Sequence, residues 1–289
     1  MSRMGDVLAG FHAAWEFESD SVLIRYERGI RTPRLFQALG KRRVPLEALT
    51  GVTLAPGRRG TVVLRALPRP GADPLMEAAA GQLQDGCDPY RLVLPAERES
   101  LAGFWAGELG AALAGSASGP AERHLVAAPE APRRFKAYDG KASFDGTAVS
   151  FRWSWTGASS AKWKAGDQSF AVSELGGVEW CSPGERLQGH LRLLPRDGTT
   201  TAAQADQDPA AVLFGLGYGP VHESLPFAAA VLAAVRHRGP AKAPVPVPAH
   251  RRDPADVAER IRHLGELHSA GLVTDEEFSA KKAELLAEL

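Results

Sequence analysis

Apolar positions along most of the chain recur every second residue in short runs, and the same order of runs is written twice. The stretch Val44-Pro-Leu-Glu-Ala-Leu-Thr-Gly-Val-Thr-Leu54 returns in residue class as Phe170-Ala-Val-Ser-Glu-Leu-Gly-Gly-Val-Glu-Trp180. Val44 and Phe170, Leu49 and Leu175, and Leu54 and Trp180 all lie 126 residues apart. Each copy holds two alternating apolar residues, a polar turn with one Leu, a Gly and a second alternating pair. That pattern predicts a bent or paired strand with one buried face. Upstream, Trp15, Phe17, Val22, Ile24 and Tyr26 alternate around Ser19-Asp20, and Phe144, Val149, Phe151 and Trp153 around Asp145-Gly146. Both predict hairpins, and Trp153, the counterpart of Tyr26, is placed in the core.

A loop follows each hairpin, Glu27 to Arg43 and Ser154 to Ser169. After the repeated stretch, Thr61-Val-Val-Leu-Arg65 corresponds to His190-Leu-Arg-Leu-Leu194, and Asp88-Pro89 precedes Tyr90-Arg-Leu-Val-Leu94 as Asp208-Pro209 precedes Ala210-Ala-Val-Leu-Phe214. The period then changes from two to three and four. Leu101, Phe104, Trp105, Leu109 and Leu113 predict one amphipathic helix, and Phe227, Val231, Leu232 and Val235 a second. Each unit is therefore a set of short antiparallel strands with a closing helix whose apolar stripe needs a sheet to bury against. The expected fold class is α+β: two tandem modules, each a curved antiparallel sheet or partly open barrel with one C-terminal helix, then a small α-hairpin.

The boundaries follow the composition. Residues 1–115 form the first repeat and 116–135 a flexible, partly extended linker containing Gly115-Ser-Ala-Ser-Gly-Pro120 and Pro129 to Pro132. Residues 136–238 form the second repeat, and 239–252 a Pro-rich linker with polyproline II character. In the hairpin, residues 253–289, Asp253-Pro254 starts a helix bearing Ile261, Leu264, Leu267 and His268 on one face, and Ala270-Gly271 ends it. Thr274 caps a second helix, with Glu277 as capping-box partner and Val273 stapling to Phe278. Two helices this short expose their stripe unless something covers it.

Over residues 14–114 and 136–238, the strands with one capping helix and the steps Leu49-Thr-Gly-Val52 and Leu175-Gly-Gly-Val178 resemble the PH-like fold. The tail, over 254–289, resembles the SHOCT family through Leu264, Leu267, Ala270-Gly271-Leu272, Thr274, Glu276-Glu277-Phe278, Lys281-Lys282, Leu285 and Leu286. Tandem PH-like copies before such a tail resemble an actinobacterial family of uncharacterised proteins. That resemblance implies an architecture and no activity.

The chain has 289 residues, of which 44% are hydrophobic and 24% charged, values that allow a core in about two domains. Lys plus Arg equals Asp plus Glu at 34 each, which argues against a dedicated nucleic-acid binder. Cys87 and Cys181, the two cysteines, form no disulfide framework or zinc spacing. The first ten residues carry no run suited to a signal segment and no stretch is apolar enough to span a bilayer, so a cytoplasmic location, peripheral at the membrane at most, is expected. Gly115-Ser-Ala-Ser-Gly119 puts Ala117 where a nucleophile elbow needs Ser, and Gly215-Leu-Gly-Tyr-Gly219 lacks the spacing of a dinucleotide loop. His222-Glu223 lacks the second His of a zincin helix. No catalytic residue, metal or cofactor is assigned.

Two groups of residues are candidates for binding. Arg28, Arg31, Arg34, Lys41, Arg42 and Arg43 gather in the first loop without an intervening acid, and Lys162, Trp163 and Lys164 stand in its counterpart. In PH domains that bind phosphoinositides, the loop after the first strand often carries the basic site, so the resemblance implies an anionic-ligand loop here. Arg and Lys suit phosphate, and a Trp suits the bilayer interface. Leu264, Leu267, Leu272, Phe278, Leu285 and Leu286 form the tail's uncovered stripe, a candidate for self-association. The expected function is a non-enzymatic binding or scaffold protein recognising a protein partner. The alternative is a peripheral adaptor on anionic lipid, with oligomerisation adding avidity.

Overall fold

The structure is a computed structural model that describes residues 6–115, 117, 119–183, 189–198, 204–237, 262, 264–265 and 274–286. The chain forms two compact units, Met1–Ala241 and Lys242–Leu289. In the first unit, β1 (Asp6–Ala9), β2 (Ala13–Phe17), β3 (Ser21–Tyr26) and β4 (Lys41–Pro45) make an antiparallel sheet in chain order. Next, β5 (Leu49–Pro56), β6 (Thr61–Pro68) and β7 (Arg91–Pro95) make a second sheet, closed by helix α3 (Glu99–Leu113). Two short helices interrupt the connections: α1 (Arg34–Leu39) before β4 and α2 (Pro74–Ala79) before β7.

The second repeat follows the same plan. Its first sheet holds β8 (Arg133–Lys136), β9 (Gly140–Phe144), β10 (Ala148–Trp153) and β11 (Gln168–Ala171), with α4 (Ser160–Ala165) before β11. The second sheet holds β12 (Leu175–Cys181), β13 (His190–Pro195) and β14 (Ala211–Leu213), closed by α5 (Val221–His237). The molecule is thus α+β, and among the described residues it has four open antiparallel sheets that share no strand between repeats.

The doubled stretch is the corner between sheets. In repeat one, β4 runs into a 3-10 turn at Leu46–Ala48 and then β5; in repeat two, β11 runs into Val172–Glu174 and then β12. Both corner strands slip register at the glycine, between Leu49 and Gly51 and between Leu175 and Gly177. A bulge adds local twist, which turns the chain from one sheet into the next. The Asp-Pro steps are matching turns as well. Asp88 Oδ1 accepts from Tyr90 N–H at 2.9 Å and Asp208 Oδ1 from Ala210 N–H at 2.8 Å. Arg65 and Arg192 reach the other oxygen of each carboxylate, at 3.6 and 2.9 Å.

Leu8, Trp15, Ile24 and Val44 of one sheet and Leu49, Leu64, Leu92 and Leu94 of the other enclose the first core with Ala102, Leu109 and Leu113 of α3. Trp105 completes that row and stacks on Phe17 at 4.2 Å. The expectation that Leu101 and Phe104 belong to this stripe is corrected: they are 44% and 55% exposed. Each lies one residue, about 100° of helix rotation, from a member of the buried row.

The second core joins Phe144, Phe151, Leu191 and Leu193 to Phe227 and Val231 of α5, and Trp153 lies in it as expected. Repeat one contributes Leu35 of α1 and Leu75, Ala78 and Ala79 of α2 to this same core. Helix α5 is therefore buried all round: every residue from Ser224 to Ala233 is buried, beyond the single stripe expected. It packs on β8 and β12 and against α1 and α2. A helix apolar on every side belongs between two layers, and the run Phe227-Ala-Ala-Ala-Val-Leu-Ala-Ala-Val235 satisfies that condition.

Polar contacts fix the seam. Gln82 Nε2 donates to Trp180 O at 2.8 Å while Ser182 N–H donates to Gln82 Oε1 at 2.9 Å, so one amide pairs with the free edge of β12 as a neighbouring strand would. Glu77 of α2 accepts from Arg236 of α5 at 2.7 Å and lies 3.0 Å from His124 of the linker. Within the linker, Ala121, Leu125 and Val126 donate backbone hydrogen bonds to Pro70 and Ala72 carbonyls at 2.8 to 3.0 Å, tying it to the first repeat.

In the second unit, α6 (Asp275–Leu286) begins directly after Thr274, where the cap is expected, and Arg262, Leu264 and Gly265 are helical. Lys282 lies over the Phe278 ring at 5.7 Å. Among the described residues no helix is long and apolar enough to cross a membrane.

Candidate functional site

The first basic loop is more structured than its sequence suggests. Residues Gly29 to Thr32 form a turn closed by Thr32 N–H donating to Gly29 O at 3.0 Å. The Gln37 amide of α1 donates to both Gly29 O and Thr32 O, at 3.0 and 2.9 Å. Arg28, Arg31, Arg34 and Lys41 are exposed around it. Arg43 is exposed too, but pairs with Glu18 and donates to Ser21 Oγ at 3.0 Å.

Arg42 is placed differently. Residues 41–44 belong to β4, and strand alternation turns Arg42 inward beside Val44 while Lys41 and Arg43 face out. Its guanidinium donates to both oxygens of Asp73 at 2.9 and 2.7 Å and lies over the Tyr90 ring at 5.9 Å. Burial opposes its charge, but Asp73 holds its pKa above the ordinary arginine value. Asp73 also caps α2, accepting from Leu75 N–H at 2.9 Å, and accepts from Tyr90 Oη at 2.8 Å. Burial and the Asp73 charge push the Tyr90 hydroxyl well up. Arg42 is thus removed from the candidate surface and joins β4, β7 and α2.

Lys162 is corrected in the same way. On α4 it points inward and is fully buried. Its Nζ donates to Asp139 Oδ2 at 2.5 Å and lies 5.0 Å from the Trp153 ring centre, while Asp139 Oδ1 accepts from Leu213 N–H at 2.9 Å. Burial pushes the Asp139 carboxyl up and the Lys162 ammonium down, and their mutual attraction offsets part of each shift. Lys164 remains exposed, and half-buried Trp163 meets Trp155 edge-on at 4.9 Å. In both loops, then, a cation read as ligand-binding instead ties the loop helix or strand to its own module. In the tail, Leu264 is buried and Phe278 half-buried, Leu285 and Leu286 lie on α6, and Leu267 and Leu272 lie outside the described residues.

Sequence reasoning missed the seam around α2. A cleft of about 460 Å³ beside it is lined by Glu77, Ala78, Gln82, Glu179, Trp180 and Cys181 among others. The cue was present: Asp73-Pro74 has the same cap-and-proline form from which the sequence predicts a helix start at Asp253-Pro254. Among the described residues no group of three or more His, Cys, Asp or Glu could hold a metal ion.

These features define a class: a tandem of two matched α+β modules, fused through the helices of the first, ahead of a short helical C-terminal unit. Family models agree. Residues 15–108 and 142–232 both match the family described as Domain of unknown function (DUF4429), and residues 259–286 match the Short C-terminal domain, SHOCT. The chain belongs to the DUF4429 family, with the domain in tandem followed by a SHOCT domain. No curated protein matches it.

Proposed function

We propose that this chain is a non-enzymatic binding protein in which two PH-like modules form one platform for a protein partner, with the C-terminal hairpin mediating self-association. The PH-like reading rests on the four-plus-three strand plan and the closing helix of each repeat. One observation carries the partner reading: the two closing helices are treated unequally. Helix α5 is covered on its outer side by α1 and α2, whereas α3 leaves Leu101 and Phe104 at the surface. Apolar side chains left outside on α3, the helix whose counterpart α5 is covered, fit a protein surface docking there. The buried groups Tyr26, Arg42, Tyr90, Asp139 and Lys162, whose pKa values are displaced, each meet an internal partner, which favours structural over catalytic roles.

The test is a photo-crosslinking side chain at position 104 in the native cell, with one at exposed Arg58 as control. A discrete adduct from position 104, lost in the Leu101→Ser variant and missing at position 58, supports the reading. Equal labelling at both positions refutes it. For the hairpin, deletion of residues 250–289 is expected to lower the mass seen by light scattering. A monomeric mass before and after removes that part.

A further inference from the structure

Among the described residues, the most exposed aliphatic side chains stand at the corners of two turns. Ile30 is 105% and Leu216 101% exposed, each as open as in an extended peptide. Isolated surface aliphatics are ordinary, but these two are held out by built supports. Ile30 is the second residue of the Gly29 to Thr32 turn, which is pinned by Gln37 and by buried Thr32, whose hydroxyl lies 3.3 Å from His12 Nδ1. Leu216 is the second residue of a turn closed by Tyr218 N–H donating to Gly215 O at 2.9 Å, with Gly217 at φ 79°. That turn is anchored to β8, since Gly219 N–H donates to Lys136 O at 2.8 Å. Tyr138 meets Tyr218 edge-on at 6.2 Å, and the Lys136 ammonium lies 5.1 Å from the Tyr218 ring centre.

The two corners lead into helices that pack together. Ile30 precedes α1 and Leu216 precedes α5, and α1 lies against α5. Arg34, the first residue of α1, is near enough to His222 in the first turn of α5 that its charge adds to burial in lowering that imidazole's pKa, against Glu223. The surroundings are cationic: Arg28, Arg31 and Arg34 flank Ile30, with Glu27 the nearest acid in sequence, and Lys136 stands beside the second turn.

We propose that these two turns form a membrane-docking edge. Ile30 and Leu216 enter the acyl boundary of an anionic bilayer, while Arg28, Arg31, Arg34 and Lys136 meet lipid phosphates and half-exposed Tyr138 lies at headgroup level. Rigid single aliphatic points within a cationic collar suit a fluid apolar phase under a layer of phosphate. A protein groove would call for a contiguous apolar patch instead. Each cation near a charged surface multiplies binding by about fivefold, and each inserted aliphatic by about tenfold.

The experiment is co-sedimentation of the full chain with phosphatidylcholine vesicles, with and without phosphatidylserine, at low salt. Pelleting is expected only with phosphatidylserine and is expected to fall as salt rises. The Ile30→Ser, Leu216→Ser double variant should bind about a hundredfold more weakly at an unchanged melting temperature, because both residues are wholly exposed. Lys41→Gln should bind as the parent does. No pelleting at low salt, or pelleting undiminished in the double variant, overturns the proposal. So does displacement of the chain from vesicles by soluble glycerophosphoserine, which would mark a free-phosphate site. These turns share no residue with the α3 face, so this proposal and the partner reading fail separately.

Discussion

Asp73→Asn tests the buried ion pair with little change of shape. The α2 cap and the Tyr90 bond fall on different carboxylate oxygens, so the amide keeps the acceptor for Leu75 N–H, turns its NH2 toward Tyr90 Oη, which can accept from it, and removes the negative charge facing Arg42. Removing one partner of a buried pair leaves the other uncompensated and typically costs about 3–5 kcal/mol. For a cooperative unit of this size each kcal/mol lowers Tm by about 2–4 °C, so a fall of about 6–20 °C is expected. Adding Arg42→Met removes the stranded cation while keeping most of the volume. The double variant should therefore return to within about 2 kcal/mol of the parent. Thermal and urea denaturation of the four proteins make the cycle. If Asp73→Asn melts within about 2 °C of the parent, or the double variant loses the sum of the single losses, the pair does not hold β4, β7 and α2 together as described.

Lys162→Met should cost about 3–5 kcal/mol by stranding Asp139, while Lys164→Met, on the same helix but exposed, should stay within about 0.5 kcal/mol; equal effects would contradict the inward placement of Lys162. Asp145 governs a pH effect. Burial pushes its carboxyl up, but bonds from Ala148 N–H, Thr147 N–H and the Thr147 hydroxyl, at 2.7 to 2.8 Å, outweigh that and hold it below the ordinary 3.8. Its contribution is thus fully present above pH 3.8 and is lost as pH falls through the lower native value. Asp145→Asn should remove that part of the acid dependence, read as a flatter stability profile below pH 4; an unchanged profile would count against the turn geometry.

Much of the fold was legible because it is local. Alternation located the strands of both repeats except the first of each, β1 and β8, the latter lying mostly in a segment read as linker, and the glycines at 51 and 177 marked the corners where the strands bulge. The Asp145-Gly146 turn formed as its chemistry requires, with Gly146 at φ 101°. What escaped was short or non-local. Helices α1 and α4 span six residues each inside segments read as loops, too short for a 3.6-residue period to declare itself. The burial of Arg42 follows from strand period, since it shares a face with Val44; its partner lies 31 residues away in a segment whose helix was not recognised. Phe104 shows the converse limit. Spacings of three and four admit two overlapping stripes on α3, and only the position of Phe17 under Trp105 decides which is buried. The run of α5 reads as a single apolar stripe, and its second covering layer comes from the other repeat, which a module-by-module reading excludes.

The central claim is that the repeats fold as one body because helix α2 of the first completes the core of the second. Hydrogen exchange along α5 in the full chain, compared between the parent and Leu75→Ala, tests it most directly. Leu75 is fully buried in that shared core, and its truncation should cost about 2–5 kcal/mol. The account expects α5 amides to lose protection by that amount together with those of β12 and β13. Loosening confined to residues 6–115, with α5 exchanging at its parental rate, would contradict it.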